Sequence, residues 1–247
     1  MIDLHAHILT GLDDGPDTLE ESLAMCRIAA EDGITTVVAT PHQRHEWWPN
    51  SDRATLEARF EDLRAAAGGV VELALGAEIR VDSELLADVD LLPGGTLLRL
   101  AGSRYLLIEF PSVVSGPDPR SLVHELTVGG WRPVLAHPER IPWLAEAPEL
   151  LAGLLDRGAC VQLTAMSVTG DAGPAAMACA WALLDADLVH FLASDAHDTS
   201  ERPPVLSAAF GAVADRWGEA RARRLTEDNA RAVLEDRPIK KEVALCR

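Results

Sequence analysis

The segment Met1-Ile2-Asp3-Leu4-His5-Ala6-His7 decides the fold, because a short apolar run leads directly into a pair of histidines. A similar ending occurs near the other end of the chain, in Leu192-Ala193-Ser194-Asp195-Ala196-His197. Buried strands tend to avoid unpaired charge, since an unpaired charge away from water is costly. The recurrence therefore predicts a fold in which the ends of several buried strands meet and their polar side chains form one cluster.

Seven short β-branched or apolar runs predict strands, and longer segments with helical spacing lie between them. The predicted strands are Ile2–His5, Thr35–Thr40, Val70–Ala77, Tyr105–Phe110, Pro133–His137, Cys160–Leu163 and Val189–Ser194. The first predicted helix has Asp17 or Thr18 as its cap and ends at Gly33. The other predicted helices are Ser51–Ala67, Pro119–Val128, Ala147–Arg157, Ala172–Leu184, Pro204–Trp217 and Thr226–Leu234. Strands joined by helical crossovers run parallel, so the fold class is α/β. A barrel and an open doubly wound sheet both fit this pattern.

Length and composition indicate one domain over residues 1–247, since 247 residues with 48% hydrophobic content can bury a single large core. The last residues, 237–247, show no clear pattern and are expected to form a mobile tail. No apolar run approaches the roughly 18 residues needed to cross a bilayer. The start of the chain lacks the basic and apolar regions of a signal peptide. These features predict a cytoplasmic protein that is not inserted in a membrane.

The formal net charge of −17 argues against a nucleic-acid partner, because phosphate backbones require clustered basic residues. The only lysines are Lys240 and Lys241. The cysteines, at positions 26, 160, 179 and 246, form no C-x-x-C pair and are expected to be reduced thiols. Either general solubility or a set of metal-ligating carboxylates accounts for the acidity.

Polar residues at the predicted strand ends are the candidate functional site. They are His5, His7, His42, Glu78, Glu109, His137, Asp195 and His197. In a parallel barrel, the carboxyl ends of the strands converge on one mouth, where catalytic residues lie. A single polar residue at a strand end more often has a structural role than a functional one. Here six of the seven predicted strands end in such a residue, which favours a shared functional site. Imidazoles and carboxylates without balancing lysines indicate a bound cation such as zinc, manganese or iron.

Other residues near these strand ends have less certain roles. Asp13 and Asp14 precede Gly15, and the residues alone favour a turn and a metal ligand equally. His45 follows His42 closely and is predicted to line the mouth and contact substrate. The remaining histidines are His124, which is expected on a helix as a surface or packing residue, and His190, which is expected in the core or in packing.

Two arginines follow the polar strand ends and indicate a substrate that carries a phosphate group. Arg140 lies three residues after His137, and Arg202 lies seven residues after Asp195. A guanidinium group has the shape to bind two phosphate oxygens at once. Beside a metal cluster, the two arginines favour hydrolysis of a phosphoester over hydrolysis of an amide.

At these residues the chain resembles the polymerase and histidinol phosphatase (PHP) superfamily, and within it the CpsB-like tyrosine phosphatases of bacterial capsule and exopolysaccharide loci. The matching blocks are Met1–His7, Asp13-Asp14-Gly15-Pro16, Thr40-Pro41-His42, Gly76-Ala77-Glu78-Ile79, Leu107-Ile108-Glu109-Phe110, His137-Pro138-Glu139-Arg140, Ser194-Asp195-Ala196-His197 and Arg202-Pro203-Pro204. Asp228-Asn229-Ala230 is similar to the family's closing helix, so the resemblance covers nearly the whole chain.

The resemblance implies a distorted (β/α)7 TIM-like barrel, the PHP fold, with three divalent metal ions at the carboxyl ends of the strands. Manganese is the expected ion, with iron or zinc as alternatives. By position, the first ion would be held by His5, His7, Glu78 and Asp195. The second would be held by Glu78, Glu109 and His137, and the third by Asp14, His42 and His197. Arg140 and Arg202 match the phosphate-binding arginines.

The resemblance also implies a reaction, the hydrolysis of a phosphomonoester by a metal-bound hydroxide. Asp195, Arg140 and Arg202 are the expected catalytic residues. The expected substrate is the phosphotyrosine-containing tail of a bacterial tyrosine kinase. A small-molecule phosphatase, such as one acting on histidinol phosphate, a PHP nuclease and a non-catalytic metal-binding regulator are the alternatives. The segment 162–167 and the pair Trp47 and Trp48 depart from the family, which leaves the shape of the substrate open. The sequence does not identify the oligomeric state.

Overall fold

The computed structural model describes residues 1–89, 91–92 and 94–239, and it is an α/β fold built on parallel strands. Nine strands lie within these described residues. They are β1 (Ile2–Ala6), β2 (Thr36–Ala39), β3 (His42–Gln43), β4 (Glu72–Leu75), β5 (Glu78–Arg80), β6 (Tyr105–Glu109), β7 (Arg132–Ala136), β8 (Cys160–Thr164) and β9 (Phe191–Ala193). All seven predicted strands are present, and β3 and β5 are additional.

The strands form two sheets in which every pair is parallel. One sheet has the order β1-β2-β4, and the other has the order β3-β5-β6-β7-β8-β9. Pro41 separates β2 from β3, because proline has no N–H to donate to a neighbouring strand. Gly76 separates β4 from β5 at a close approach, where a Cβ would lie 3.2 Å from a side-chain carbon of Val38. Each break carries the chain from one sheet into the other.

The first and last strands also meet. His7 N donates to Ala196 O over 2.8 Å, and Asp195 N donates to His5 O over 2.9 Å. Below this bridge, the buried carboxylate of Asp3 accepts hydrogen bonds from the backbone N–H, over 3.0 Å, and the hydroxyl of Ser194. Backbone and side-chain contacts therefore join β1 to the segment that follows β9.

Helices connect the strands and cover the sheets. The helices within the described residues are α1 (Leu19–Glu31), α2 (Arg53–Ala67), α3 (Leu85–Val89), α4 (Pro119–Val128), α5 (Pro142–Ala145), α6 (Pro148–Leu155), α7 (Ala165–Thr169), α8 (Pro174–Asp185), α9 (Ser207–Trp217), α10 (Glu219–Arg223) and α11 (Asn229–Leu234). Each predicted helix has a counterpart, and α4 has the predicted bounds. None of these helices is long and apolar enough to span a membrane.

Two helix starts have clear local causes in the structure. Of the two predicted caps, Thr18 is the one used, because its hydroxyl accepts from Glu21 N while the Glu21 side chain accepts from Thr18 N. The helix predicted from Pro204 begins only at Ser207. There the carboxylate of Asp32 accepts from Leu206 N over 2.7 Å and from Ser207 N over 2.9 Å, so a residue at the end of α1 caps α9.

Alternate residues on the strands face two different cores. Tyr105 and Leu107 belong to a cluster that is closed below by Ala230 and Val233 of α11. Leu106 and Ile108, which alternate with them, belong to a larger cluster between the strands and the surrounding helices. Side chains on opposite faces of a strand alternate with a period of two, so both faces of these strands are buried.

The predicted tail lies only partly within the described residues. The Tyr105 hydroxyl donates to Arg237 O over 2.8 Å and accepts from Ile239 N over 3.1 Å, which attaches this stretch to the core. The rest of the tail, including both lysines and Cys246, lies outside the described residues. The single domain and the mobility of the tail stay predictions.

The cap supplied by Asp32 yields a stability prediction. Asp32→Ala should lower the free energy of unfolding by about 1–2 kcal/mol, because it leaves the first N–H groups of α9 without an acceptor. Urea unfolding followed by circular dichroism measures the change. The matched control is Asp62→Ala on the exposed face of α2, which should change stability by no more than about 0.5 kcal/mol. Equal stability of the two variants would contradict the assigned cap.

Candidate metal centre

The structure brings the predicted strand-end residues together at the carboxyl ends of the strands. His5 and His7 come from β1 and the residues after it, His42 begins β3, and Glu78 begins β5. The remaining members are Glu109 at the end of β6, His137 directly after β7, Asp195 and His197 after β9, and Asp14 from the loop before α1. Every predicted ligand therefore lies in or beside one cluster.

Four donor atoms lie close to one another at the centre of the cluster. His5 Nε2 lies 3.1 Å from His7 Nε2, 3.5 Å from Glu78 Oε2 and 3.4 Å from Asp195 Oδ1. His7 Nε2 lies 3.4 Å from the same Glu78 oxygen and 3.7 Å from the same Asp195 oxygen. Ligands about 2.1 Å from a tetrahedral ion are about 3.4 Å apart, so these spacings fit a bound metal.

Glu78 extends this centre through its second oxygen. His137 Nε2 lies 2.8 Å from Glu78 Oε1, and His42 Nδ1 lies 3.0 Å from Glu78 Oε2. Glu109 can share an ion with Glu78 and His42, since ligand atoms of the three lie within 4.8 Å of one another. The same Glu109 carboxylate accepts from Arg80 Nη1 over 2.8 Å. A different grouping was expected for Glu109, with Glu78 and His137.

A further group of donors lies on the outer side of the cluster. Asp14 Oδ1 is 3.5 Å from His42 Nε2 and 3.2 Å from His197 Nε2. His7 completes a set of four residues whose ligand atoms lie within 4.8 Å of one another. Asp14 thus lies where a ligand would, and the turn at Gly15 does not remove its carboxylate from the cluster.

Burial of the Glu78 carboxylate favours a cation at this centre. Glu78 is 1% exposed, and its Oε2 has no hydrogen-bond partner within the described residues. A buried polar atom without a partner costs about 1–3 kcal/mol, and more when it is charged. The donors are imidazole nitrogens and carboxylate oxygens, which suit zinc, manganese or iron.

Two residues outside the predicted set orient the central histidines. Asp13 Oδ2 lies 2.7 Å from His7 Nδ1 and also accepts from His42 N over 3.0 Å. Gln162 Oε1 lies 2.9 Å from His5 Nδ1. Such partners fix the ring and leave Nε2 free to bind a metal. The sequence offers only weak signals for them, namely the Asp-Asp pair and a lone polar residue within β8.

The charges of the cluster are strongly coupled. Burial alone would raise the pKa of Asp195, but His5, His137 and Arg202 lower it below its usual range. Burial also opposes ionisation of Glu78, yet its neighbouring histidines hold its pKa well below the usual range. Burial alone would lower the pKa of His137, but the hydrogen bond to Glu78 and the Glu78 charge raise it to about 9. The charge of Glu78 and the protonated imidazole of His137 thus stabilise each other.

The two predicted phosphate-binding arginines lie at the edge of this cluster. Arg202 Nη2 is 2.8 Å from Asp195 Oδ2, and Arg140 Nη1 contacts the same oxygen. Their side chains are 29% and 36% exposed, so both guanidinium groups still reach solvent. A bound anion next to Asp195 could therefore contact both arginines at once.

Backbone conformation contributes to the placement of two of these residues. His137 has a φ of 31° and Asp195 has a φ of 54°, both in the left-handed region. Non-glycine residues rarely adopt this conformation, and it costs of the order of 1–3 kcal/mol where the surroundings enforce it. The left-handed turn at the end of β7 is followed by the short helical turn Pro138–Arg140, which carries Arg140 to the mouth.

A pocket of about 220 Å³ opens over the cluster. Its lining residues are Asp14, His42, His45, Trp47, Trp48, Glu78, Glu109, His137, Arg140, Asp195, His197 and Arg202. His45 therefore lines the mouth, as the sequence predicts. His124 is exposed on α4, away from these residues, which confirms its predicted surface position.

Comparisons with known proteins agree with this arrangement. The family described as "Capsular polysaccharide synthesis, CpsB/CapC" matches residues 1–235. The chain is 35% identical to the tyrosine-protein phosphatase YwqE of Bacillus subtilis over 241 residues, which cover 97% of this chain and 93% of that protein. It is 32% identical to the tyrosine-protein phosphatase CpsB of Streptococcus pneumoniae, over 97% of this chain and all of that protein.

A solved structure is similar along the whole chain. It comes from the crystal structures of YwqE from Bacillus subtilis and CpsB from Streptococcus pneumoniae, which are described as metal-dependent tyrosine phosphatases. It superposes with a TM-score of 0.91 at 33% sequence identity and covers 98% of this chain and 97% of that one. The overall fold is thus similar to that of proteins that are named as enzymes.

The raised pKa of His137 yields a prediction for the metal-free protein. The folded pKa of about 9 exceeds the ordinary value of 6.5, so the contribution of His137 to stability is complete below pH 6.5 and is lost as the pH rises through 9. The free energy of unfolding should fall over this range, by up to about 3 kcal/mol. Urea unfolding of chelated protein at several pH values measures it.

His137→Gln and His124→Gln are the matched variants for this measurement. The first should show a shallower decline between pH 6.5 and 9, since it removes the titrating imidazole. The second changes an exposed histidine of α4 and should follow the parent protein. The assigned coupling to Glu78 is wrong if the His137 variant declines as steeply as the parent.

Proposed function

The chain belongs to the CpsB/CapC family of capsular polysaccharide synthesis, and from this membership we propose that it is a metal-dependent phosphomonoesterase acting on phosphotyrosyl protein. The observation that carries the proposal is the buried cluster in which Glu78 and Asp195 both contact His5 and His7, with Arg140 and Arg202 beside it. The named relatives are tyrosine-protein phosphatases, and they do not favour a histidinol phosphatase or a non-catalytic regulator.

The fold that we propose is a distorted, closed (β/α)7 barrel, in which β2 with β3 and β4 with β5 each act as one bent strand. Support comes from the backbone bridge between Ala6 and Ala196, which joins the first and last strands. The alternation between an inner cluster and an outer cluster along β6 also agrees with a closed ring. In a barrel of this kind, the candidate metal centre lies at the expected catalytic face.

We further propose three divalent ions, with manganese as the expected metal and iron or zinc as alternatives. His5, His7, Glu78 and Asp195 would hold the first ion, and Asp14, His42 and His197 the third. Glu78, Glu109 and His137 would hold the second, and the short distance between Glu78 and His137 supports that assignment. Divalent ions at such a site make a hydroxide nucleophile available near neutral pH and neutralise charge on the phosphoryl group.

The protein's own residues would bind and orient the phosphate. Arg140 and Arg202 approach from the exposed side, where two guanidinium groups can hold equatorial phosphate oxygens and stabilise the charge that develops on them. A tyrosine leaving group has a pKa of about 10, so it departs more readily than an alkoxide and has less need of a strong general acid.

A covalent phosphocysteine has no support in the described part of the chain. None of the described cysteines lines the pocket. Burial raises the pKa of Cys26 and of Cys179 to about 11, which keeps both as thiols. A thiol is a poor nucleophile compared with a thiolate.

In the cell, we propose that the substrate is the phosphotyrosine-containing tail of a bacterial tyrosine kinase that regulates capsule or exopolysaccharide synthesis. The family name supports the link to capsular polysaccharide synthesis, and the relatives' names support a phosphotyrosine substrate. A cytoplasmic location would bring the enzyme to such a tail.

Chelation and metal replacement test the proposed chemistry. The chelated protein should lose nearly all release of phosphate from a phosphotyrosyl peptide, and added manganese, iron or zinc should restore it. A malachite-green assay of phosphate measures the rates. Histidinol phosphate, assayed side by side, should be the poorer substrate. Full activity after exhaustive chelation would refute the metal-dependent mechanism, and a preference for histidinol phosphate would refute the substrate class.

Arg202→Lys tests the role of the arginines. Lysine keeps the charge but cannot form two parallel hydrogen bonds, so kcat/KM for the peptide should fall by about 10- to 100-fold. Arg223→Lys on the exposed α10 is the control and should leave kcat/KM within about twofold. Retention of the parent kcat/KM by Arg202→Lys would remove Arg202 from the phosphate-binding site.

A further inference from the structure

An aromatic group of unassigned role lies at the mouth of the pocket. The loop after β3 carries Trp47 and Trp48 close behind His45, and all three line the pocket. Trp47 is 71% exposed, while Trp48 is half-buried. Large exposed aromatic side chains next to a functional pocket are typical of a surface that binds another molecule.

Stacking fixes the orientation of the Trp48 ring relative to the metal centre. The ring centroids of Trp48 and His42 are 5.4 Å apart, and the two planes differ by only 7°. Trp48 also stacks on His45, with centroids 4.8 Å apart and planes at 29°. Trp47 meets Trp48 edge-on, at 5.7 Å and 88°. The His42 and His45 centroids are themselves 4.9 Å apart, so Trp48 is held against a candidate metal ligand and its neighbouring imidazole together.

The loop that carries the aromatic group is tied at both ends. Arg44 N donates to Pro49 O over 3.0 Å, and the Asn50 side chain donates to His42 O over 2.7 Å. The Arg44 guanidinium group forms ion pairs with Asp82 and with Asp88. These contacts restrain the loop, so little conformational entropy is lost when a ligand binds to the aromatic group.

The size and chemistry of the pocket limit what the aromatic group can contact. The cavity of about 220 Å³ is smaller than a typical drug-binding pocket and has room for a phosphate and little more than one ring. Arg140 and Arg202 supply its cationic edge, and Trp48 supplies its flat apolar surface. In an aryl phosphate, the phosphate group matches the arginines and the aromatic ring matches the Trp48 surface. An alkyl phosphate has no ring that can stack on Trp48.

We propose that Trp48, supported by His45 and Trp47, is a specificity-determining residue that stacks on the ring of an aryl phosphate and so favours aryl over alkyl phosphomonoesters. The inference rests on the proposed phosphatase function. It adds to that function the residue that recognises the leaving group of the substrate. Trp48 positions the ring and takes no part in proton transfer or in holding a metal.

Binding of two non-hydrolysable ligands tests the proposal independently of turnover. Isothermal titration calorimetry of the metal-loaded full chain would compare phenylphosphonate with methylphosphonate. The parent protein should bind phenylphosphonate about tenfold more tightly, in keeping with the usual strength of an aromatic contact. Trp48→Leu should lose that tenfold preference and keep its affinity for methylphosphonate within about twofold. Trp48→Phe, which retains a ring, should keep most of the preference.

Trp217→Leu, at the end of α9, is the matched control and should retain the full preference. Circular dichroism and thermal unfolding of each variant check that the fold persists. The proposal is overturned if the parent protein binds both ligands equally, or if Trp48→Leu weakens both equally or neither.

Turnover separates this inference from the function on which it rests. The parent protein should hydrolyse phosphotyrosine faster than phosphoserine, and Trp48→Leu should reduce that ratio mainly by lowering kcat/KM for phosphotyrosine. Phosphate release from neither compound would contradict the proposed phosphatase function, while the binding comparison would still decide the role of Trp48. Equal loss for both compounds would contradict the aromatic preference and leave the phosphatase function standing.

Discussion

The buried carboxylate of Glu78 is the constraint around which the site is built. Four imidazoles, those of His5, His7, His42 and His137, each lie within 3.5 Å of one of its oxygens. A charge at this depth is stable only when it is paired and hydrogen-bonded or bound to a cation. The strand ends that carry these imidazoles must therefore meet around Glu78, which explains why the cluster draws on so many separate elements.

The interruptions in the strands follow from the same constraint. His42 and Glu78 begin β3 and β5, directly after the breaks at Pro41 and Gly76. Each break turns the chain from one sheet into the other while the backbone ladder continues through Gly76 N to Ala39 O, over 2.8 Å, and Glu78 N to Pro41 O, over 3.2 Å. Regular strands would carry these side chains past the centre, whereas the bends bring them back to it.

The sequence predicted the site better than it predicted the fold's details, and the reason is physical. Polar residues such as Glu78 and Asp195 stand out at the ends of apolar runs, because burial makes charge exceptional there. The bends at Pro41 and Gly76 depend on close contacts between strands that are far apart in sequence, so a local pattern cannot reveal them. Gln162 escaped prediction for a similar reason: its partner, His5, lies 157 residues away. Likewise, Asp32 caps a helix 174 residues further along the chain, and only the tertiary structure shows this.

The contact between the first and last strands has a consequence for how the protein folds. Asp195 belongs to the same donor set as His5, so the centre cannot form until nearly 200 residues have emerged and folded together. Contacts of such long sequence separation carry a large loop-closure cost and form late. During synthesis, His5 and His7 therefore emerge long before Asp195, with which they share the cluster. A metal bound as proposed would therefore enter late in maturation, after its ligands have met.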